Sequence, residues 1–341
     1  MSLVLTAIYA PALFSMLAAR QFSRRRGPME IGIVGLGKMG SSLALQALGK
    51  NIRVVGYSTA ISNETQLRQN GIEFAKDLES LTLSLGSPRK VFLYVPSGIS
   101  VDRILDELIH RLAPGDVVID AGNSHFRDSI ARQARLAAHD IGFVDAGSSG
   151  GPEGALSGAC FMVGGERKDV AIVEPVLKSL SVPEGFLHVG QSGSGHFVKL
   201  IHNAIEFGML QAIGEGVSLL QASEFKIDLP ALFHNWSHGS VIRGWLTELM
   251  EKELRENPDL HRVPAHVEDT GEVNWALEEA IRLEVPIPII MQSVLELFRS
   301  RDKREIDHKS VALLRHGFGG HPFGPDRAIQ EERQKGKVGL S

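Results

Sequence analysis

The stretch Ile31-Gly32-Ile33-Val34-Gly35-Leu36-Gly37-Lys38-Met39-Gly40 is a short β-branched run that breaks into a glycine turn and opens a helical pattern from Met39 to Leu48. This is the G-x-G-x-x-G fingerprint in its required strand-turn-helix context. Gly35 permits the tight turn, Gly37 lets backbone approach a pyrophosphate, and Gly40 lets the helix pack closely on the strand. The N–H groups of the first helical turn and its positive dipole end suit an anionic ligand. Gly35, Leu36, Gly37, Lys38, Met39 and Gly40 are therefore expected to hold a dinucleotide.

Outward from this unit, strand-like and helix-like segments alternate. Arg53–Gly56, Val91–Val95, Val117–Asp120 and Phe143–Asp145 read as further strands, which argues for a Rossmann-type doubly wound parallel sheet over residues 29–190. After Gly195 the strand signal stops. Helical patterns cover 196–223, about 228–255, 272–284 and 288–316, so residues 191–324 are expected to form an all-α substrate and dimerisation domain. The fold class is thus α/β followed by all-α. The charged tail, 325–341, is expected to fray.

An NAD enzyme places an acid about 20 residues past the glycine turn, and an NADP enzyme an arginine nearby. Here the second strand ends in Gly56-Tyr57-Ser58-Thr59, with neither. Ser58 and Thr59 are candidate cofactor contacts, as are Val95 and Pro96 at the end of a later strand. NAD and NADP both stay open.

Lys199, His202, Asn203 and Glu206 fall at i, i+3, i+4 and i+7 and form one stripe on a helix. Val198, Leu200, Ile201, Ala204 and Ile205 between them are apolar, so the other faces read as buried. A polar stripe on such a helix lines a polar cavity or meets solvent as a Lys–Glu surface pair.

The segment Gly195-His-Phe-Val-Lys-Leu-Ile-His-Asn-Ala-Ile-Glu-Phe-Gly208 resembles the signature of the 6-phosphogluconate dehydrogenase family. Asp120-Ala-Gly-Asn-Ser124, Ser149-Gly-Gly-Pro-Glu-Gly-Ala155 and Arg315-His-Gly-Phe-Gly-Gly-His321 resemble further family blocks, in order, across about residues 29–321. The length is similar to the shorter branch. The resemblance implies oxidative decarboxylation of 6-phospho-D-gluconate to ribulose 5-phosphate and carbon dioxide with reduction of NAD or NADP, without a metal; the single cysteine suits a reducing cytoplasm. It implies Lys199 as general base and later acid, and Glu206 as proton donor to the enediol carbon. Asn123, Ser149, Gly150, Gly151, His202 and Asn203 would bind substrate, Asn123 also touching the nicotinamide. Arg315 and His321 would reach across from a neighbouring subunit of a homodimer or homotetramer. Each residue has a plainer reading: Asn123 as a turn residue, Ser149-Gly150-Gly151 as a loop, His202 as a core histidine, Arg315 as a surface charge.

Some positions depart from the family pattern. Leu297 stands where a phosphate-binding arginine is usual, with Arg299 close by, and Phe207 replaces a tyrosine. These favour a related β-hydroxyacid dehydrogenase of the 3-hydroxyisobutyrate type, while the His202/Glu206 pair and the Arg315/His321 block argue against it. A silent nucleotide-binding protein is a third reading, and the intact Lys199 and Glu206 oppose it.

Composition narrows the class. In 341 residues, 43% are hydrophobic and 22% charged, the balance of a soluble globular chain with room for two domains. A net charge of −4 gives no reason to expect nucleic acid as a partner. The lone Cys160 cannot close a disulfide within the chain, and its apolar surroundings read as core. Residues 1–28 carry an apolar run followed by arginines, the reverse of a secretory signal. They are expected to be an extension outside the fold, with Met29 as an alternative start and no membrane span.

Overall fold

The computed structural model describes residues 29–335 apart from 60 and 62; the expectation for residues 1–28 lies outside the described residues. The chain runs β1 (Glu30–Val34), α1 (Lys38–Gly49), β2 (Arg53–Tyr57), α2 (Glu64–Gln69), β3 (Glu73–Phe74), α3 (Leu78–Leu83), β4 (Lys90–Leu93), α4 (Ile99–Leu108), β5 (Val117–Asp120), α5 (Phe126–Ala137) and β6 (Gly142–Ser149). It continues with α6 (Gly151–Ser157), β7 (Ala159–Gly165), α7 (Arg167–Leu180), β8 (Ser181–Gly190) and the long α8 (Ser194–Ala222). Then follow α9 (Leu229–Ser237), α10 (Trp245–Glu256), a short 3-10 turn (Leu260–Arg262), α11 (Asn274–Leu283), α12 (Pro288–Arg301), α13 (Ile306–Gly319) and α14 (Arg327–Lys335).

The strands form one sheet in the order β3-β2-β1-β4-β5-β6-β7-β8. The pairs from β3 across to β6 are parallel, as expected of a doubly wound sheet. The β6–β7 pair is antiparallel, which the sequence reading did not anticipate, and β7–β8 is parallel again. Strand side chains alternate between faces with period two. Ile31 and Ile33 of β1, Phe92 of β4, Val117 and Ile119 of β5 and Val144 of β6 therefore pack on one face with Leu43 and Ala47 of α1 and Val173 and Leu177 of α7. Val34, Val91, Leu93, Val118 and Phe143 pack on the other with Leu81, Leu105 and Leu136 of α3, α4 and α5. Helices cover both faces, so the strands read as nearly continuous apolar runs.

β7 corrects one expectation. Phe161 and Val163 point into the core, but Cys160 belongs to the opposite phase of the strand and is exposed. The helical patterns of 228–255 and 288–316 each split in two. The first breaks where Gly239 and Gly244 take φ of +91° and +153°, the second at Glu305, whose φ is +53°. Such left-handed backbone does not continue an α-helix. Residues 327–335, expected to fray, form a helix.

The chain divides into two compact units. One comprises residues up to Glu206 with Gly271–Pro286, the other Phe207–Thr270 with the residues from Ile287 onward. The second is helical, with a small core of Val217, Leu229, Phe233 and Leu254. Among the described residues no helix is long and apolar enough to cross a membrane.

Candidate active site

The carboxyl ends of the strands carry both candidate sites of the first unit. The strand order reverses between the parallel neighbours β1 and β4, the position where open α/β sheets leave a crevice for ligands. Gly35, at φ +96°, sits so close to the carbonyl oxygen of Tyr94 that a Cβ would collide with it, and a Cβ on Gly40 would collide with the carbonyl oxygen of Gly35. Gly37 has open space where a Cβ would go. It caps α1, and no side chain occupies the cap. The Ser41 hydroxyl donates to Leu36 O at 2.8 Å and braces the turn. Lys38 is exposed and Leu36 is buried, so a ligand here would meet the backbone of Leu36. Val95 and Pro96 follow β4, and Ser58 and Thr59 follow β2, each beside β1 in the sheet. Turn, open approach and uncapped helix start together fit a dinucleotide pyrophosphate.

The second cluster is built on α8. Buried Asp145 of β6 accepts from the backbone N–H groups of Gly193 (2.7 Å) and His196 (2.9 Å), which fixes the first turn of the helix to the sheet. A Cβ on Gly195 would collide with backbone atoms of Asp145, Gly164 and Met162, so only glycine allows this approach. A Cβ on Gly147 would collide with the Lys199 side chain, whose stem thus lies flat on β6.

The stripe is divided: Lys199 and Asn203 line a cavity and are each 9% exposed, while the side chains of His202 and Glu206 are each 39% exposed. The expectation that the apolar faces are all buried holds only in part. Leu200 and Ala204 are buried, but Val198 is 36% and Ile205 52% exposed. His202 is the hub of the polar groups. Its Nε2 lies 3.0 Å from Ser149 Oγ, and its Nδ1 lies 3.1 Å from Asn203 Oδ1, 3.5 Å from Lys199 Nζ and 3.8 Å from Glu206. A proton on Nδ1, donated to Asn203, leaves Nε2 to accept from Ser149. Beyond Ser149, Gly150 and Gly151 have φ of +117° and +60° and turn the chain into α6. Burial lowers the basicity of Lys199 below the ordinary lysine range; the nearby Glu206, Glu272 and Cys160 oppose this without reversing it.

Asn123 follows β5 and donates from Nδ2 to Glu272 Oε1 at 3.1 Å. Its turn is held from beneath by a buried ion cluster. Ser124 Oγ donates to Asp120 at 2.7 Å, and Arg132 reaches Asp120 at 3.3 Å, Asp102 at 2.8 Å and the Gly98 carbonyl at 3.1 Å. One cavity is lined by Asn123, Lys199 and Asn203, all expected from the sequence, and by Ser124, His196, Glu272 and Trp275, none of which was singled out. Glu272 and Trp275 come from the 271–286 segment, which Glu279 ties to Arg127 at 2.8 Å. Arg315 and His321 belong to the second unit, where they are exposed and 3.2 Å apart. Leu297 is half-buried, and exposed Arg299 lies 3.9 Å from Glu296.

Two protein-family models match this chain. The NAD binding domain of 6-phosphogluconate dehydrogenase covers residues 30–190, and the 6-phosphogluconate dehydrogenase C-terminal domain covers residues 195–332. The chain belongs to the 6-phosphogluconate dehydrogenase family. It is 38% identical over 295 residues to the NAD(+)-dependent, decarboxylating 6-phosphogluconate dehydrogenase of Haloferax volcanii, covering 86% of this chain and 98% of that protein. It is 41% identical over 293 residues to a Bacillus subtilis (strain 168) protein provisionally named 6-phosphogluconate dehydrogenase YqeC, again covering 86% and 98%. Among solved structures, Plasmodium falciparum 6-phosphogluconate dehydrogenase, studied with NADP+ and with 6-phosphogluconate, superposes with a TM-score of 0.75 at 25% identity, over 87% of this chain and 66% of that one. Membership in the 6-phosphogluconate dehydrogenase family makes the glycine turn part of an NAD-binding Rossmann domain.

Proposed function

We propose that this protein oxidatively decarboxylates 6-phospho-D-gluconate, with NAD or NADP as hydride acceptor. The observation that carries the reading is the buried Lys199, its basicity lowered, within reach of the Ser149–His202–Asn203 network in a family member. Bound at the Gly35–Gly40 turn, the dinucleotide supplies the hydride acceptor. Lys199, as the neutral amine, takes the proton of the substrate hydroxyl while the carbon-bound hydrogen leaves as hydride. The resulting ammonium stands beside the new carbonyl oxygen and stabilises the negative charge that gathers there as the carboxylate departs as carbon dioxide. It returns its proton to that oxygen, giving the enediol. Glu206 then protonates the enediol carbon while Lys199 withdraws the hydroxyl proton, and the ketone forms. Ser149, Gly150, Gly151, His202 and Asn203 hold the carboxylate and hydroxyls, Asn123 the substrate near the nicotinamide, and Arg315 and His321 of a second copy the phosphate.

The test is turnover of 6-phosphogluconate and of gluconate, each with NAD and with NADP, followed by the absorbance of the reduced cofactor. Turnover confined to the phosphorylated acid is expected, and the better cofactor is the one Ser58 and Thr59 admit. Equal use of unphosphorylated acids would instead favour a β-hydroxyacid dehydrogenase of the 3-hydroxyisobutyrate type, the reading that Leu297 supports.

A further inference from the structure

Neither the stripe on α8 nor the family blocks point to Glu272, yet its carboxylate lines the same cavity as Lys199. It enters on the 271–286 segment, whose Val273 and Ala276 are buried and whose Glu279 is anchored on Arg127. Its Oε1 takes a hydrogen bond from Asn123, which turns the Asn123 amide so that Oδ1 faces away from the carboxylate. An ionised carboxylate only accepts hydrogen bonds, and it has about four lone-pair sites. It therefore suits O–H donors and repels anions. We infer that Glu272 is a specificity-determining residue: it holds Asn123 and receives a hydroxyl of the substrate's carbon chain, so that the anionic ends of the substrate lie away from this wall of the cavity. The inference rests on the hydroxy-acid reading above and assigns one side of the cavity to the polyol.

Glu272 also bears on Lys199. The ionisable groups around that amine are Glu206 and His202 from α8, Cys160 from β7 and Glu272, with His196 lining the same cavity and Asp145 of β6 held on the backbone of the first turn of α8. Glu272 favours the ammonium and opposes the effect of burial.

Glu272→Gln keeps an oxygen for Asn123 and removes the charge, and Glu272→Ala removes both. In the full-length protein without substrate, the rate at which an amine-selective reagent labels Lys199, followed by mass spectrometry, reports its protonation against pH. Glu272→Gln is expected to move this profile to lower pH. Inorganic phosphate should protect Lys199 in Glu272→Gln at several-fold lower concentration than in the native protein. With 6-phosphogluconate, Glu272→Ala is expected to raise KM by about tenfold, a loss of about 1.4 kcal/mol, with cofactor affinity unchanged. Unchanged labelling, phosphate protection and KM in folded variants would overturn the inference. Labelling and protection that respond as stated, in a protein that does not turn over 6-phosphogluconate, would support the role of Glu272 while removing the proposed substrate.

Discussion

At the scale of single residues, Lys199 shows how burial and chemistry oppose one another. Its depressed basicity means that the neutral amine is reached at lower pH than the ordinary value of 10.5. kcat/KM should therefore rise with pH through the lysine's lowered value. The same burial costs stability whenever the amine is charged in the folded protein. That cost is full below the folded value, shrinks as pH rises and is gone above 10.5, where the unfolded chain is neutral as well. Lys199→Met should accordingly lower kcat by about 10²- to 10⁴-fold and raise the thermal midpoint near neutral pH, with no gain in alkaline solution. Paired activity and unfolding measurements across pH check both halves; a variant less stable than the native protein at neutral pH would contradict the burial account. Much of this residue-level picture could be read from sequence, because Lys199, His202, Asn203 and Glu206 are close in the chain and share a helical period. Glu272 could not: it meets Asn123 across 149 residues, and no local pattern encodes that distance.

At the scale of elements, the strands of the parallel run from β2 to β6 were legible, whereas the edge strands β3 and β8 and the buried β7 beside β8 were not. β3 has two residues, and β8 has no buried residue and carries Pro183 and Gly185, so neither offers the alternating or continuous apolar signal of an interior strand. The long α8 was legible in full, but not its anchorage. Nothing in Phe143–Asp145 marks Asp145 as the acceptor for the first turn of a helix some 50 residues later, where the Asp145–His196 hydrogen bond spans 51 positions. Asp145→Ala leaves two buried backbone donors without their partner, a loss of about 1–3 kcal/mol for each unsatisfied group. The variant should unfold at lower denaturant concentration and lose kcat, because the seat of Lys199 on Gly147 shifts with the helix. A stable variant with native kcat would mean that the first turn of α8 is fixed by the close approach at Gly195 alone.

At the scale of the whole molecule, α13 is the clearest unfinished surface. It has no buried residue, and Leu313, Leu314 and Phe318 are 62%, 66% and 76% exposed. Apolar side chains exposed together on one helix make it a candidate contact surface. Arg315 lies within the same helix, and the proposed phosphate site needs it from a second copy. The native protein should sediment as a dimer or larger, and Leu314→Glu with Phe318→Glu should give monomers with KM for 6-phosphogluconate raised well above tenfold and with cofactor affinity retained. Native activity in a strictly monomeric variant would show that the chain supplies its own phosphate ligands.

The anchorage of α8 also bears on where this protein can be recombined. The two matched family domains meet between residues 190 and 195, which invites a chimera joined there. A seam at that point would part Asp145 and Gly164 from Gly193, Gly195 and His196, whose fit was shaped as one surface. Transplanting the nucleotide module together with α8 as far as Glu206, and with 271–286 alongside, moves the lysine and its seat as a single interchangeable cartridge.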